Sequence, residues 1–170
     1  MQLRKVCDHP YLFPDVEEAG VDEFGEHLIT NSGKLRFLDK LVTKVRAQNE
    51  QMIIFSNFTT MLSILEDFCA IRGIKYCRLD GSTDLADREE RIEDFVSPGS
   101  DKTMFLISTR AGGLGINLVS ANHVVLYDSD YNPQIDLQAM DRAHRIGQKK
   151  TVYVYRLITS DTVEERIIQR

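Results

Sequence analysis

Apolar positions along the chain switch repeatedly between two patterns. Leu35, Leu38, Val42 and Val45 recur every three or four residues and predict one face of a helix. Met52 to Phe55 is an uninterrupted apolar run, which predicts a buried strand. Met61, Leu65, Phe68 and Cys69 mark a second helix, and Tyr76 to Leu79 a second strand. Leu85, Ile92, Phe95 and Val96 predict one side of a third helix, followed by strands over Thr103 to Ile107 and His123 to Tyr127. Asn132 then Pro133 reads as a helix start, because Asn caps free N–H groups and Pro suits the first helical position. That helix is expected to run to about Arg145. Val152 to Ile158 predicts a last strand. Asp161 with Glu164 resembles a capping box that opens a final helix. A further short helix, Met1 to Cys7, precedes all of this, and both terminal helices read as cut from a longer chain.

Strands that are apolar throughout are covered on both faces, and the alternating helices supply the cover. The expected fold is therefore α/β, a mostly parallel sheet with helices on both faces. Ligands of such sheets sit at the loops beyond the carboxyl ends of the strands. Here those loops are Ser56–Thr59, Asp80–Thr83, Ser108–Leu118 and Asp128–Pro133.

With 170 residues and 42% hydrophobic content, one domain with a real core is expected. No apolar run approaches the ~18 residues a membrane helix needs, so no membrane partner is expected. Three cysteines without metal-like pairing suggest a reducing compartment; Cys7 and His9 lack a second ligand pair nearby. The net charge of −5 is misleading about partners. Asp15, Glu17, Glu18, Asp22, Glu23 and Glu26 form a stretch without Lys or Arg, and without those six carboxylates the −5 becomes +1. The stretch is expected to be a solvated loop.

A phosphate loop would read G-x-x-x-x-G-K-S/T. Gly33-Lys34 is the only Gly-Lys, but it is followed by Leu35 and preceded by Leu28 where glycine is required. It is better read as a helix start capped by Ser32. Gly112, Gly113 and Gly115 do not complete a dinucleotide fingerprint, because position 118 is Leu. The chain carries no complete catalytic site of its own.

Gln138, Arg142 and Arg145, spaced four and three apart, are expected on one face of the helix after Asn132-Pro133. Two readings stand. One is a salt-bridged helix surface, with Asp141 four residues before Arg145. The other is a pair of cations offered to a phosphate from a neighbouring lobe, as arginine fingers that neutralise charge on a transferring phosphoryl group.

The text around these residues resembles a known family. QAMDRAHRIGQ (Gln138 to Gln148) looks like the sixth motif of superfamily-two translocases, in the wording of the Swi/Snf-type chromatin-remodelling ATPases. QMIIFSNF (Gln51 to Phe58) resembles the fourth motif, YCRLDGST (Tyr76 to Thr83) the segment after it, STRAGGLGINL (Ser108 to Leu118) the fifth, and LYDSDYNPQ (Leu126 to Gln134) its continuation. MQLRKVCDHPYLF and TNSGKL are most similar to the imitation-switch (ISWI) subclass. The resemblance implies a RecA-like helicase C-terminal lobe over residues 31–170, with 1–30 as an extension carrying the acidic loop. It implies ATP and Mg2+ held mainly by a first RecA-like lobe of the same protein. Arg142 and Arg145 would reach the γ-phosphate, Gln138 would orient them, and Gly113 and Gly115 would lie beside the nucleotide. Double-stranded DNA would run along Gly81, Ser82, Thr83, Ser108, Thr109, Arg110 and Tyr131. Tyr131 stands where the family usually has Trp, and Asn57 where it usually has Gln. The implied setting is the nucleus, with nucleosomes and their histones as partners. Rival expectations are a binding module that kept the fold without turnover, and an ordinary doubly wound cofactor binder; both arginines and the fifth motif speak against the first, the missing glycine fingerprint against the second.

Overall fold

Every apolar run read from the sequence becomes a strand. In the computed structural model, which describes residues 2–17, 25–111 and 116–169, β1 spans Met52–Ser56, β2 Tyr76–Leu79, β3 Met104–Ser108, β4 His123–Leu126 and β5 Tyr153–Arg156. All pair in parallel, in the order β2-β3-β1-β4-β5. β1 therefore lies at the centre, with Met52 in register with both Met104 and His123. This is the α/β architecture of a RecA-like lobe.

Alternation along the strands splits the core in two. Met52, Ile54, Met104, Leu106, Val125 and Tyr127 face one side, where α3 (Gly33–Ala47) and α4 (Thr59–Ile71) pack with Leu35, Leu38, Leu65 and Phe68. Ile53, Phe55, Phe105, Ile107, Val124 and Leu126 face the other, against α5 (Leu85–Val96) and α6 (Pro133–Met140). A fully buried side chain of this kind contributes about 1.5–3 kcal/mol, so the interior strands rather than the helix propensities hold the lobe together. Phe95 anchors α5 by stacking on Phe105, ring centroids 5.0 Å apart.

Four expectations change. Leu85 points outward (72% exposed), and α5 packs through Phe95, with Ile92 and Val96 half-buried beside it. β5 is an edge strand, with Tyr153 and Val154 about half exposed, rather than an apolar strand covered on both faces. Thr162, not Asp161, caps the last helix, α7 (Val163–Ile168), accepting from the Glu164 N–H at 3.2 Å. Most consequentially, α6 stops at Met140. Its C-cap is Asp141, and the next N–H groups, of Arg142 and Ala143, bond three residues back to Ala139 and Met140.

Two short segments precede the sheet: α1 (Gln2–Asp8) and α2 (His27–Thr30), with the 3-10 turn Pro10–Leu12 between them. Ser32 caps α3, as expected, accepting from the Leu35 N–H at 3.3 Å. His9 uses both ring nitrogens on backbone, accepting from the Tyr11 N–H at 3.0 Å and meeting the Leu28 carbonyl at 2.7 Å, so it serves the turn rather than a metal. Of the acidic stretch, residues 18–24 lie outside the described residues. Glu26 is not simply solvated: it accepts from Arg72 at the end of α4, which also holds Asp39 at 2.6 Å. No described helix is long and apolar enough to cross a membrane.

Candidate functional site

The carboxyl ends of β1, β3 and β4 are adjacent; β1 and β3 end in Ser56 and Ser108, and Asp128 follows two residues after β4. Ser108, the last residue of β3, and Thr109 after it are buried, and Arg110 is exposed. The Thr109 N–H donates to the Ser56 carbonyl at 2.9 Å, which continues the sheet for one residue. Its hydroxyl is buried and has no partner among the described residues. The Ser108 hydroxyl accepts from the Ala111 N–H at 3.3 Å and turns the chain into the glycine stretch. Gly113 and Gly115 lie outside the described residues.

The chain after α6 lies against this loop. Leu118 N–H donates to the Arg142 carbonyl at 3.1 Å. The Gln148 side-chain amide donates to the carbonyls of Val119 (3.1 Å), Ala121 (2.9 Å) and Ala143 (3.4 Å), stitching the end of the sixth motif to the end of the fifth. Gly147, at φ +108°, makes the turn that lets Gln148 reach back, a backbone region few L residues adopt. These tertiary bonds take up groups that a continuing helix would have used.

Gln138, Arg142 and Arg145 therefore do not share one helix face. Gln138 is exposed on α6, Arg142 is buried at 6% exposure, and Arg145 is exposed in the turn. Arg145 Nε donates to the Asp141 carbonyl at 3.2 Å. Arg142 Nε has no hydrogen-bond partner among the described residues. Burial first, then the positive charges of Arg145 and Arg88 nearby, push the Arg142 guanidinium below its ordinary value, against the pull of Asp141. Burial thus disfavours the Arg142 guanidinium, a cost that an anion beside it would offset.

The turn after β2 is built around Asp80. Its carboxylate accepts the Ser82 N–H (3.0 Å) and hydroxyl (2.6 Å), while the Thr83 hydroxyl accepts from the Asp80 N–H at 3.1 Å. The Ser82 bonds lead in holding the Asp80 carboxyl below its usual range, with Arg78 adding to them. Gly81 and Ser82 are exposed at the tip and Thr83 half-buried. The helix that follows is capped by Asp84, accepting from Asp87 N–H, rather than by Ser82 or Thr83.

A third cluster sits at the ends of β1 and β4. Buried Asp128 accepts from Ser56 Oγ at 2.5 Å, Asn57 Nδ2 at 2.7 Å and Arg4 Nη2 at 2.9 Å. Arg4 lies 5.2 Å from the ring centres of both Phe58 and Tyr131, so the half-exposed Tyr131 is propped from behind by a cation. Sequence reasoning singled out none of Arg4, Asp80, Arg88 or Asp128; the text LDGS and DSD contains the two aspartates, but nothing local says which arginine each meets.

A cavity of about 540 Å³ between α1, the start of α3 and the end of β5 contains Asp8, Lys34 and Arg156 but none of the arginines just described. Among the described residues no group of three or more His, Cys, Asp or Glu is placed to hold a metal.

The helicase conserved C-terminal domain family matches residues 33–147, from the first residue of α3 to the glycine of the sixth motif. The chain belongs to that family. Over all 170 residues it is 61% identical to the human SWI/SNF-related matrix-associated actin-dependent regulator of chromatin subfamily A member 1, and 55% identical to the Saccharomyces cerevisiae ISWI chromatin-remodeling complex ATPase ISW2. It covers 16% and 15% of those proteins, so it corresponds to about one sixth of their length. The crystal structure of the C-terminal part of the Fun30 ATPase domain superposes with a TM-score of 0.81 at 42% identity, over 99% of this chain and 52% of that one. The fifth and sixth motifs stitched together above are thus features of a helicase C-terminal domain.

Proposed function

We propose that this lobe is the second motor half of an ATP-dependent DNA translocase that remodels nucleosomes in the nucleus. The observation that carries the reading is Arg142: a buried guanidinium whose Nε has no hydrogen-bond partner among the described residues, its carbonyl held by the N–H of Leu118 at the end of the fifth motif. Such a group suits an anion such as a polyphosphate better than solvent. In hydrolysis, the oxygen of a water bonds to the γ-phosphorus as the bond to the β–γ bridging oxygen breaks, leaving ADP and phosphate. Arg142 and Arg145 would donate to the oxygens on which charge gathers, and Gln138 would orient them. Gly113 and Gly115 would approach the nucleotide closely. Mg2+ and most of the ATP phosphate contacts belong, on this reading, to the first RecA-like lobe of the same protein. The residues of this lobe fit ATP as donors to its terminal phosphate.

The exposed tip Gly81-Ser82-Thr83, with Arg110 and Tyr131 on the neighbouring strand ends, would follow the backbone of double-stranded DNA. Ser108 and Thr109 act there mainly by aiming Arg110, since their side chains are buried. Contacts of this kind position a protein without reading sequence. Residues 1–30 would be an extension that docks on the lobe 31–170 through Arg4 and Asp8. Histones would be met as part of the nucleosome.

Two measurements test the reading. The purified chain is expected to show no ATP turnover, with or without DNA; turnover by this chain alone overturns the half-motor assignment. Its DNA affinity is expected to be weak and indifferent to sequence, with log affinity falling by about 0.9 per phosphate neutralised as log salt rises. Arg110→Ala should weaken it equally on all sequences. A strong preference for one sequence contradicts the backbone-tracking surface.

A further inference from the structure

Arg4 lies outside the helicase C-terminal domain, residues 33–147, yet it reaches the candidate DNA surface. It sits on α1 with its side chain buried. Nη2 donates to the Asp128 carboxylate at 2.9 Å and to the Ser129 carbonyl at 2.6 Å. The centre of the same guanidinium is 5.2 Å from the ring centres of both Tyr131 and Phe58. One side chain thus holds the loop after β4 by the carboxylate of Asp128, the backbone of Ser129 and the ring of Tyr131. Asp128 also accepts from Ser56 and Asn57, so the same cation is tied to the end of β1, two residues before Phe58. α1 is anchored in turn: the Tyr127 hydroxyl donates to the Asp8 carbonyl at 3.2 Å, and Lys34 holds the Asp8 carboxylate at 2.8 Å. Tyr131 remains 48% exposed at the end of this arrangement.

Resting on the function proposed above, the geometry points to Arg4 as a positioning residue for the DNA contact of Tyr131. An exposed aromatic side chain on a loop samples several rotamers, and ordering it on binding costs affinity; a ring held in place beforehand avoids that cost. A guanidinium suits the task because its face attracts an aromatic ring while its edge donates hydrogen bonds. Here the donors go to Asp128 and to the backbone two residues before the ring. Arg4 is too buried to meet a phosphate itself, so it acts through Tyr131. A counter-ion for Asp128 alone would need neither the Ser129 carbonyl nor the two rings. The extension 1–30 then belongs to the DNA-binding surface as its support, beyond covering the lobe.

The test uses the full-length ATPase and measures duplex-DNA affinity as a function of salt. Arg4→Met and Arg4→Lys are each made alone and together with Tyr131→Ala. Met removes the charge and every donor; Lys keeps a charged donor beside Asp128 without the planar face, and so keeps the fold where Met strands the buried carboxylate. Arg4→Met is expected to weaken DNA binding about fivefold and Arg4→Lys about threefold, within the range of coupling between residues in contact. In the Tyr131→Ala background each change should cost less than about twofold, because the ring it positions is gone. The slope of log affinity against log salt should stay at its wild-type value, whereas loss of a direct phosphate contact would reduce it by about 0.9. Equal losses with and without Tyr131, wild-type affinity in both Arg4 variants, or a reduced salt slope overturns the inference and leaves the DNA surface in place. If Tyr131→Ala alone binds DNA as the wild type does, the function proposed for Tyr131 falls, and the role of Arg4 with it.

Discussion

Arg145→Ala in the reunited two-lobe enzyme is expected to cut DNA-stimulated ATP turnover by roughly 10³ to 10⁵, the range that arginine fingers supply elsewhere. ATP affinity should change far less, because one lost contact among many phosphate contacts is felt mainly where charge develops. The structure sharpens this expectation by separating the two arginines. Arg145 is exposed and bonds the Asp141 carbonyl locally, so its truncation should leave stability within about 0.5 kcal/mol of wild type. Arg142 is buried and packs beside Ala143, which has no exposure at all, so Arg142→Ala should lower both turnover and stability. Lysine should rescue poorly at either position, since one ammonium does not reproduce the planar fork of a guanidinium. The competing view makes the two residues surface ion-pair partners worth about 0–1 kcal/mol each. Hydrolysis and nucleotide binding measured on the same folded variants separate the views. If Arg145→Ala keeps a tenth of wild-type turnover, the finger assignment is wrong.

The fold was legible because its signal is local. Each interior strand is built on an apolar run, Met52–Phe55, Met104–Ile107 or Val124–Leu126, and such a run has no stable place except between two layers of helices. Leu35, Leu38, Val42 and Val45 are all buried because the helix period alone selects one face. The failures occur where distant bonds overrule local pattern. Gln138, Arg142 and Arg145 have perfect helical spacing, yet the helix ends at Met140, where the N–H of Leu118 claims the carbonyl of Arg142 and the Gln148 side chain that of Ala143. Ile146 is fully exposed, where a continuing amphipathic helix would have buried it. β5 carries the composition of a covered strand and lies at the edge, a matter of strand order that periodicity does not encode. For the candidate site, the motifs supply the residue types; which of them are buried required the tertiary structure.

Lys34 shows the same limit at its greatest, and it carries the largest expected effect on stability. The sequence marks Gly33-Lys34 only as a false phosphate loop. In the fold its ammonium is buried and donates to Asp8 Oδ1 at 2.8 Å, the Tyr127 carbonyl at 2.9 Å and Glu164 Oε1 at 2.5 Å. Asp8 is 26 residues away and Glu164 130, so one cation ties α1 and α7 to the end of β4. Lys34→Met preserves the length of the side chain and leaves two buried carboxylates without their cation. Breaking a buried pair from one side costs about 3–5 kcal/mol, a large share of the roughly 5–15 kcal/mol that holds a domain folded. By contrast, Lys75→Met removes an exposed partner of Asp101 and should cost at most about 1 kcal/mol. The pH dependence has a definite sign. Burial, with the Asp128 carboxylate adding to it, already pushes the Asp8 carboxyl up to about 7. Removing Lys34 takes away a positive neighbour and moves it higher. A carboxyl whose folded pKa lies above its unfolded value holds more protons in the folded state, so stability falls as pH rises through the interval between the two. The variant should therefore be most damaged above neutrality and recover part of its loss toward pH 5. Adding Asp8→Asn and Glu164→Gln, which remove the stranded charges, should recover stability at pH 8 as well. Urea midpoints at pH 5, 6.5 and 8 decide the matter: a cost below about 1 kcal/mol at pH 8, or a loss that grows toward acid, means that Lys34 is not the cation on which the two terminal helices depend.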